Sequence, residues 1–156
     1  MPKFFDFMIK KISTLVFLLL VATVNSQAVK SKAVWYKNIE QAIDKAHREN
    51  KKTFVYFSGS DWCKPCIELK NEVFETKIFK DKANKEYILV NIDFVLNRNK
   101  LTRNELSYIE KSAEKYNKKG IFPLVIVLNE EGKILTSIDG YKSETAEYYI
   151  ENYLND

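Results

Sequence analysis

Cysteine is nearly absent from this 156-residue chain: there are two, Cys63 and Cys66. Histidine occurs once and methionine twice. Each shortage excludes something. A zinc site built on the cysteine pair would need two further ligands from His47 and scattered carboxylates, which disfavours metal. Without a methionine cluster, a carrier of a soft ion such as Cu(I) lacks thioether ligands. His47 lies beside the apolar stripe of a helical pattern and reads as surface. A strong charge bias is also missing. The net charge is +4, and without residues 1–28 it is +2. That is too weak to argue for nucleic acid as a partner. No internal repeat or low-complexity linker divides the chain, and its length suits one domain. The composition, 46% apolar and 29% charged, is that of a soluble globular protein rather than a disordered one.

A long hydrophobic run is lacking too. "MPKFFDFMIKK" carries Lys3, Lys10 and Lys11; residues 12–24 are uncharged; "NSQA" follows. Basic start, short apolar core and small residues in that order form a secretory signal. The apolar run is short of the ~20 residues of a spanning helix. Ser26 and Ala28 place cleavage after Ala28, giving a signal over 1–28 and a mature domain over 29–156. Cleavage after Ser26, or retention of the segment as a membrane anchor, are the alternatives. No cysteine near the cut offers a lipid attachment point.

Export changes how two cysteines are read, because a disulfide persists outside the cytoplasm. A structural staple gains from closing a long loop. A bridge across two residues restrains little, so the spacing favours redox chemistry.

The remaining chain alternates strand and helix patterns. Asn38 caps a helix with Ile39, Ala42, Ile43 and Ala46 on one face, and Gln41 supports the cap. "TFVYFS" (53–58) and "YILVNIDF" (87–94) read as buried strands. "CIELKNEVF" and "TKIFKDKAN" read as helices with a break near Glu75–Thr76. "VLNRNK" is a polar loop. Thr102 and Glu105 form a capping box before Leu106, Ile109, Ala113 and Tyr116. "GIFPLVIVLNEEGKILTSI" is a strand, a turn at Gly132 and a strand. Ser143 starts a last helix bearing Ala146, Tyr149, Ile150 and Tyr153. The order β-α-β-α-β-α-β-β-α predicts an α/β fold: a mixed sheet, parallel at first and ending in a hairpin, with helices on both faces.

The cysteines fall where a buried strand gives way to a helix. Helix N-termini carry unpaired N–H groups and partial positive charge, which stabilise a thiolate. Cys63 is therefore the nucleophile, and the spacer brings Cys66 near enough to attack a mixed disulfide. Pro65 suits a first helical turn. Lys64 sets a cation beside Cys63, although exposed charge is screened.

"DWCKPC" resembles the Trp-Cys-x-Pro-Cys site of the thioredoxin family. "GIFPLVIVL" is similar to that family's second landmark, a cis-proline opening the strand that faces the cysteines. The resemblance spans about residues 33–154. "YFSGSDWC", "YILVNIDF" and "YNKKGIFP" resemble exported bacterial thioredoxin-like proteins described as thiol–disulfide oxidoreductases. It implies a thioredoxin fold, Cys63 as attacking thiol and Cys66 as resolving thiol. Pro123 and Trp62 would shape a substrate groove, and the backbone of Phe122 would pair with substrate. No metal or organic cofactor is implied. Partners would be protein disulfides and a membrane or periplasmic thiol donor, with the protein a periplasmic monomer. The Lys-Pro dipeptide points to a reductase; an oxidase, an isomerase or a redox-passive peptide-binding module are the competing readings. One departure stands out. The family's buried aspartate would fall on Phe57 or Tyr56, neither a carboxylate, leaving Asp61, Glu68, Glu72 or water to take the proton.

Overall fold

The computed structural model describes residues 33–155; the segment read as a signal, its cleavage point and Asp156 lie outside them. Strand β1 (Trp35–Tyr36) is followed by α1 (Ile39–Glu49), β2 (Lys52–Ser58), α2 (Lys64–Leu69) and a π-helical turn (Lys70–Phe74). Then come α3 (Lys77–Glu86), β3 (Tyr87–Asp93), a 3-10 turn (Arg98–Lys100), α4 (Arg103–Tyr116), β4 (Leu124–Leu128), β5 (Ile134–Asp139) and α5 (Ala146–Tyr153).

The five strands form one sheet in the order β1-β3-β2-β4-β5. β1, β3 and β2 are parallel to one another, and β4 and β5 are antiparallel to their neighbours. This is the mixed sheet that the element order predicts. Successive side chains of a strand point to opposite faces, and β2 shows it. Phe54 and Tyr56 join the core that holds both cysteines, Phe74, Phe79 and Tyr149. Val55 and Phe57 join the core on the other face, with Ile39, Ala42, Ala46 and Ile126.

The caps form as the sequence suggests. Asn38 Oδ1 accepts from Gln41 N at 2.8 Å, and Thr102 and Glu105 form a reciprocal capping box. Hydrogen bonding from Thr102 holds the Glu105 carboxyl below its ordinary value. Gly132 has φ +76°, the left-handed backbone that a glycine adopts without steric cost. One boundary differs from expectation. The last helix starts at Ala146, not Ser143: Thr145 is its cap and accepts from Tyr148 N, while Ser143 lies in left-handed backbone. The helix after the cysteines starts at Lys64 with Pro65 in its first turn and breaks at Glu75–Thr76, as expected, but takes π geometry from Lys70.

Candidate active site

Cys63 is the N-cap of α2, and Cys66 lies in its first turn. The sulfurs form a disulfide, 1.97 Å apart, with Cα atoms separated by 5.2 Å. Both residues are buried, Cys66 more so: 1% exposed against 4% for Cys63. An N-cap side chain normally accepts from the N–H of the second or third helical residue. Here the second is Pro65, which has no N–H. The third is Cys66, whose N–H is 3.0 Å from the Cys63 carbonyl oxygen. The Cys63 side chain therefore makes no capping hydrogen bond, and its sulfur stands at the helix N-terminus, where the partial charge is positive.

The loop before α2 is tied to the loop after β3. Ser60 N and Oγ donate to Asp93 at 2.8 and 2.6 Å. Leu96 N donates to Asp61 at 3.0 Å, and Trp62 Nε1 donates to the Phe94 carbonyl at 2.5 Å. A Cβ on Gly59 would lie 2.2 Å from the Trp62 indole, so the close seat of this ring requires glycine there. Trp62 is 43% exposed. Its ring meets Phe122 edge-on at 5.4 Å, and Phe122 meets Phe94 at 5.2 Å.

The Phe122–Pro123 peptide is cis. Leu124 pairs with Phe57, which brings Pro123 level with the end of β2, where the cysteine loop departs. Trp62 and Phe122 are thus brought together beside that loop. Lys64 is turned outward: its side chain is 86% exposed, and its ammonium is 3.6 Å from Glu68. Asp61 is occupied by Leu96, and Glu72 accepts from the Tyr141 hydroxyl at 2.8 Å. His47 is on the surface with Nδ1 3.2 Å from Glu130.

Two residues of this region were not singled out as functional from the sequence. Tyr56, noted there only as a missing carboxylate, donates from its hydroxyl to the Cys66 carbonyl at 2.8 Å. The alternation of β2 places it, and not Phe57, on the cysteine face. Burial, and then the charge of Asp93, keep its phenol protonated well above the ordinary tyrosine range. Asp93 is the other: it ends β3 and binds the cysteine loop through Ser60. No group of three or more histidine, cysteine, aspartate or glutamate side chains suited to a metal occurs among the described residues.

The thioredoxin-like domain family matches residues 39–153, and the chain belongs to that family. Two proteins of Chlamydia pneumoniae are similar to it. The thioredoxin-related protein DsbJ is 26% identical over 113 residues, covering 72% of this chain and 32% of DsbJ. The disulfide bond reductase DsbH is 26% identical over 100 residues, covering 64% of this chain and 59% of DsbH. The matched regions therefore span about a third and three-fifths of these relatives. A solved DsbH oxidoreductase structure superposes with a TM-score of 0.71 at 21% identity, covering 83% of this chain and 88% of the other. A thioredoxin from Thermus thermophilus gives 0.54 at 13%, covering 77% and 84%. Among the described residues no helix is long and apolar enough to cross a membrane.

Proposed function

We propose that this chain is an exported dithiol–disulfide oxidoreductase that reduces protein disulfides. The observation that carries the reading is the placement of the pair: Cys63 caps a helix beside an exposed aromatic rim, and Cys66 sits behind it in the core. In the reaction the Cys63 thiolate attacks one sulfur of a substrate disulfide. That S–S bond breaks, and the substrate's other sulfur leaves as a thiolate and takes a proton. Cys66, deprotonated, then attacks Cys63, releasing the second substrate thiol and closing the Cys63–Cys66 disulfide. Two electrons pass to the substrate, and a membrane or periplasmic dithiol restores the enzyme by the reverse exchange. Trp62, Phe122 and Pro123 form the substrate-side rim, with the Phe122 backbone available to an extended segment. Pro65 fixes the first turn, and Lys64 adds a screened positive charge. The chain works as a monomer without metal or organic cofactor.

The similarity to a disulfide bond reductase and the Lys-Pro spacer support the reducing direction. The order of charged, apolar and small residues over 1–28 supports export to the periplasm. A redox titration of Cys63 and Cys66 against dithiothreitol buffers tests direction. A potential near the roughly −270 mV of thioredoxin is expected, and one near about −120 mV would make the protein an oxidant.

A further inference from the structure

The cysteine helix and the strand pair that carries Pro123 are far apart in sequence, and a tyrosine joins them. β5 ends at Asp139, which pairs with Leu124, and Gly140 N donates to the Pro123 carbonyl at 2.8 Å. Tyr141 is the next residue. Its ring packs against the core that holds both cysteines. Its hydroxyl donates to Glu72 Oε2 at 2.8 Å. Glu72 lies in the π-helical turn that continues α2 beyond Cys66. That turn is one residue wider than an α-helical one, with Glu75 N donating to the Lys70 carbonyl at 2.9 Å. It buries Val73 and Phe74 side by side and leaves Glu72 exposed, within reach of Tyr141. Single π-helical turns inside α-helices are frequent at functional sites.

The start of the same helical run is tied elsewhere. Ser60, Asp61 and Trp62 bind the end of β3 and the loop after it. Tyr141 ties the far end to the Pro123 side, and both cysteines lie between the two ties. The Tyr141 hydroxyl has one proton and two acceptors, because the Glu144 carbonyl is 2.9 Å away. Loss of Glu72 would therefore leave the phenol with a hydrogen bond. Burial first, and then the bond to Glu72, keep this phenol protonated above the ordinary tyrosine range, so it stays a donor. The segment that bears it is anchored independently. The Glu144 carboxylate accepts from Lys142 N at 2.8 Å and from the Tyr153 hydroxyl at 3.3 Å. A contact whose donor keeps a second acceptor adds little to stability. What it fixes is the distance between the cysteine helix and the strand end at Pro123.

We infer that Tyr141, acting through Glu72, is a positioning residue for disulfide exchange: it holds the cysteine helix in register with Pro123, so that a protein substrate lying along Phe122 and Pro123 meets the Cys63 sulfur. The role in exchange rests on the function proposed above.

The test compares Tyr141→Phe, Glu72→Ala, Glu72→Gln and the double variant Tyr141→Phe with Glu72→Ala, all in the full chain. With a protein disulfide, kcat/KM should fall about fivefold in Tyr141→Phe and in Glu72→Ala, the factor carried by one ordinary hydrogen bond. The double variant should lose no more than either single one, because both remove the same contact. Glu72→Gln should stay within about twofold of wild type, since an amide oxygen still accepts. Alkylation of reduced Cys63 by iodoacetamide needs no facing strand and should fall less than protein exchange. The thermal midpoint of Glu72→Ala should stay close to that of wild type. Undiminished exchange in Tyr141→Phe, additive losses in the double variant, or Glu72→Gln as poor as Glu72→Ala overturns the inference. Equal losses in alkylation and exchange overturn it too, because they mark a general disturbance of the helix. Amide hydrogen exchange over 64–74, expected to quicken in Tyr141→Phe, reads the tie without turnover. A wild-type chain inert towards every disulfide would defeat the proposed function; unaltered amide exchange would defeat the tie itself.

Discussion

The two faces of the sheet are built from the same strands but from different chemistry. One face holds Phe54, Tyr56, Phe74, Phe79, Tyr87 and Tyr149 around the cysteines. The other is mostly aliphatic, with Ile39, Val55, Val90, Ile92, Ile126 and Leu128 under α1 and α4. Large rings on the first face make specific contacts: Phe74 lies 5.1 Å from Tyr56, 5.5 Å from Phe54 and 4.7 Å from Phe79. Phe74 ends the helical run that begins at Lys64, so the aromatic layer holds the cysteine-bearing helix against the sheet. A tyrosine also supplies a polar end to a buried ring, which an aliphatic residue cannot do. Tyr56 uses it on the Cys66 carbonyl, which also accepts from the Lys70 N–H. The aliphatic face fills space; the aromatic face fills space and fixes the site.

That contrast predicts unequal responses to mutation. Phe74→Ala should have the largest effect, about 3–5 kcal/mol of stability by urea unfolding, because a buried ring is lost and its cavity closes only partly. Disulfide exchange by the folded fraction should fall with it. Ile126→Val removes one methylene from the aliphatic face. It should cost about 0.5–1.5 kcal/mol and leave exchange by folded protein unchanged. An equal loss of exchange in the two variants would erase the distinction between the faces.

An effect as small is expected from Tyr56→Phe, which keeps the ring and deletes one hydrogen bond worth about 1 kcal/mol. Its sign of interest lies in alkali. An acid whose folded pKa is raised supplies stability in full below its unfolded pKa, near 10 for tyrosine, and loses it as pH rises through the folded value. Burial raises Tyr56 in this way. Wild-type stability should therefore decline above about pH 10, and the difference from Tyr56→Phe should shrink there. Urea midpoints at pH 8 and pH 11 read this directly; parallel curves would remove Tyr56 from the alkaline response.

Much of this arrangement is legible in the sequence because it is local. The cap at Asn38, the capping box at Thr102 and the turn at Gly132 each depend on residues a few positions apart. The cysteine spacing and its place between strand and helix depend on one short stretch. The start of the last helix was misplaced because Ser143 and Thr145 are both plausible caps, and the sequence pattern does not separate them. The contacts that shape the site are long-range. Ser60 with Asp93 and Trp62 with Phe94 join segments more than thirty residues apart. The role of Tyr56 was within reach, since strand alternation decides between it and Phe57 once the face of the cysteines is known. The short reach of β1 along β3 was not, because the register of a parallel pair is set in three dimensions.

The central claim is that the two cysteines are unequal: Cys63 attacks at a helix N-terminus and Cys66 resolves from the core. The direct test is to incubate the reduced Cys66→Ser chain with a protein disulfide and map the adduct by mass spectrometry after alkylation. A stable mixed disulfide through Cys63 is expected, because the resolving thiol is gone, while reduced Cys63→Ser should give little or none under the same conditions. A Cys63→Ser chain that traps substrate through Cys66 as well as, or better than, Cys66→Ser does through Cys63 would contradict the account.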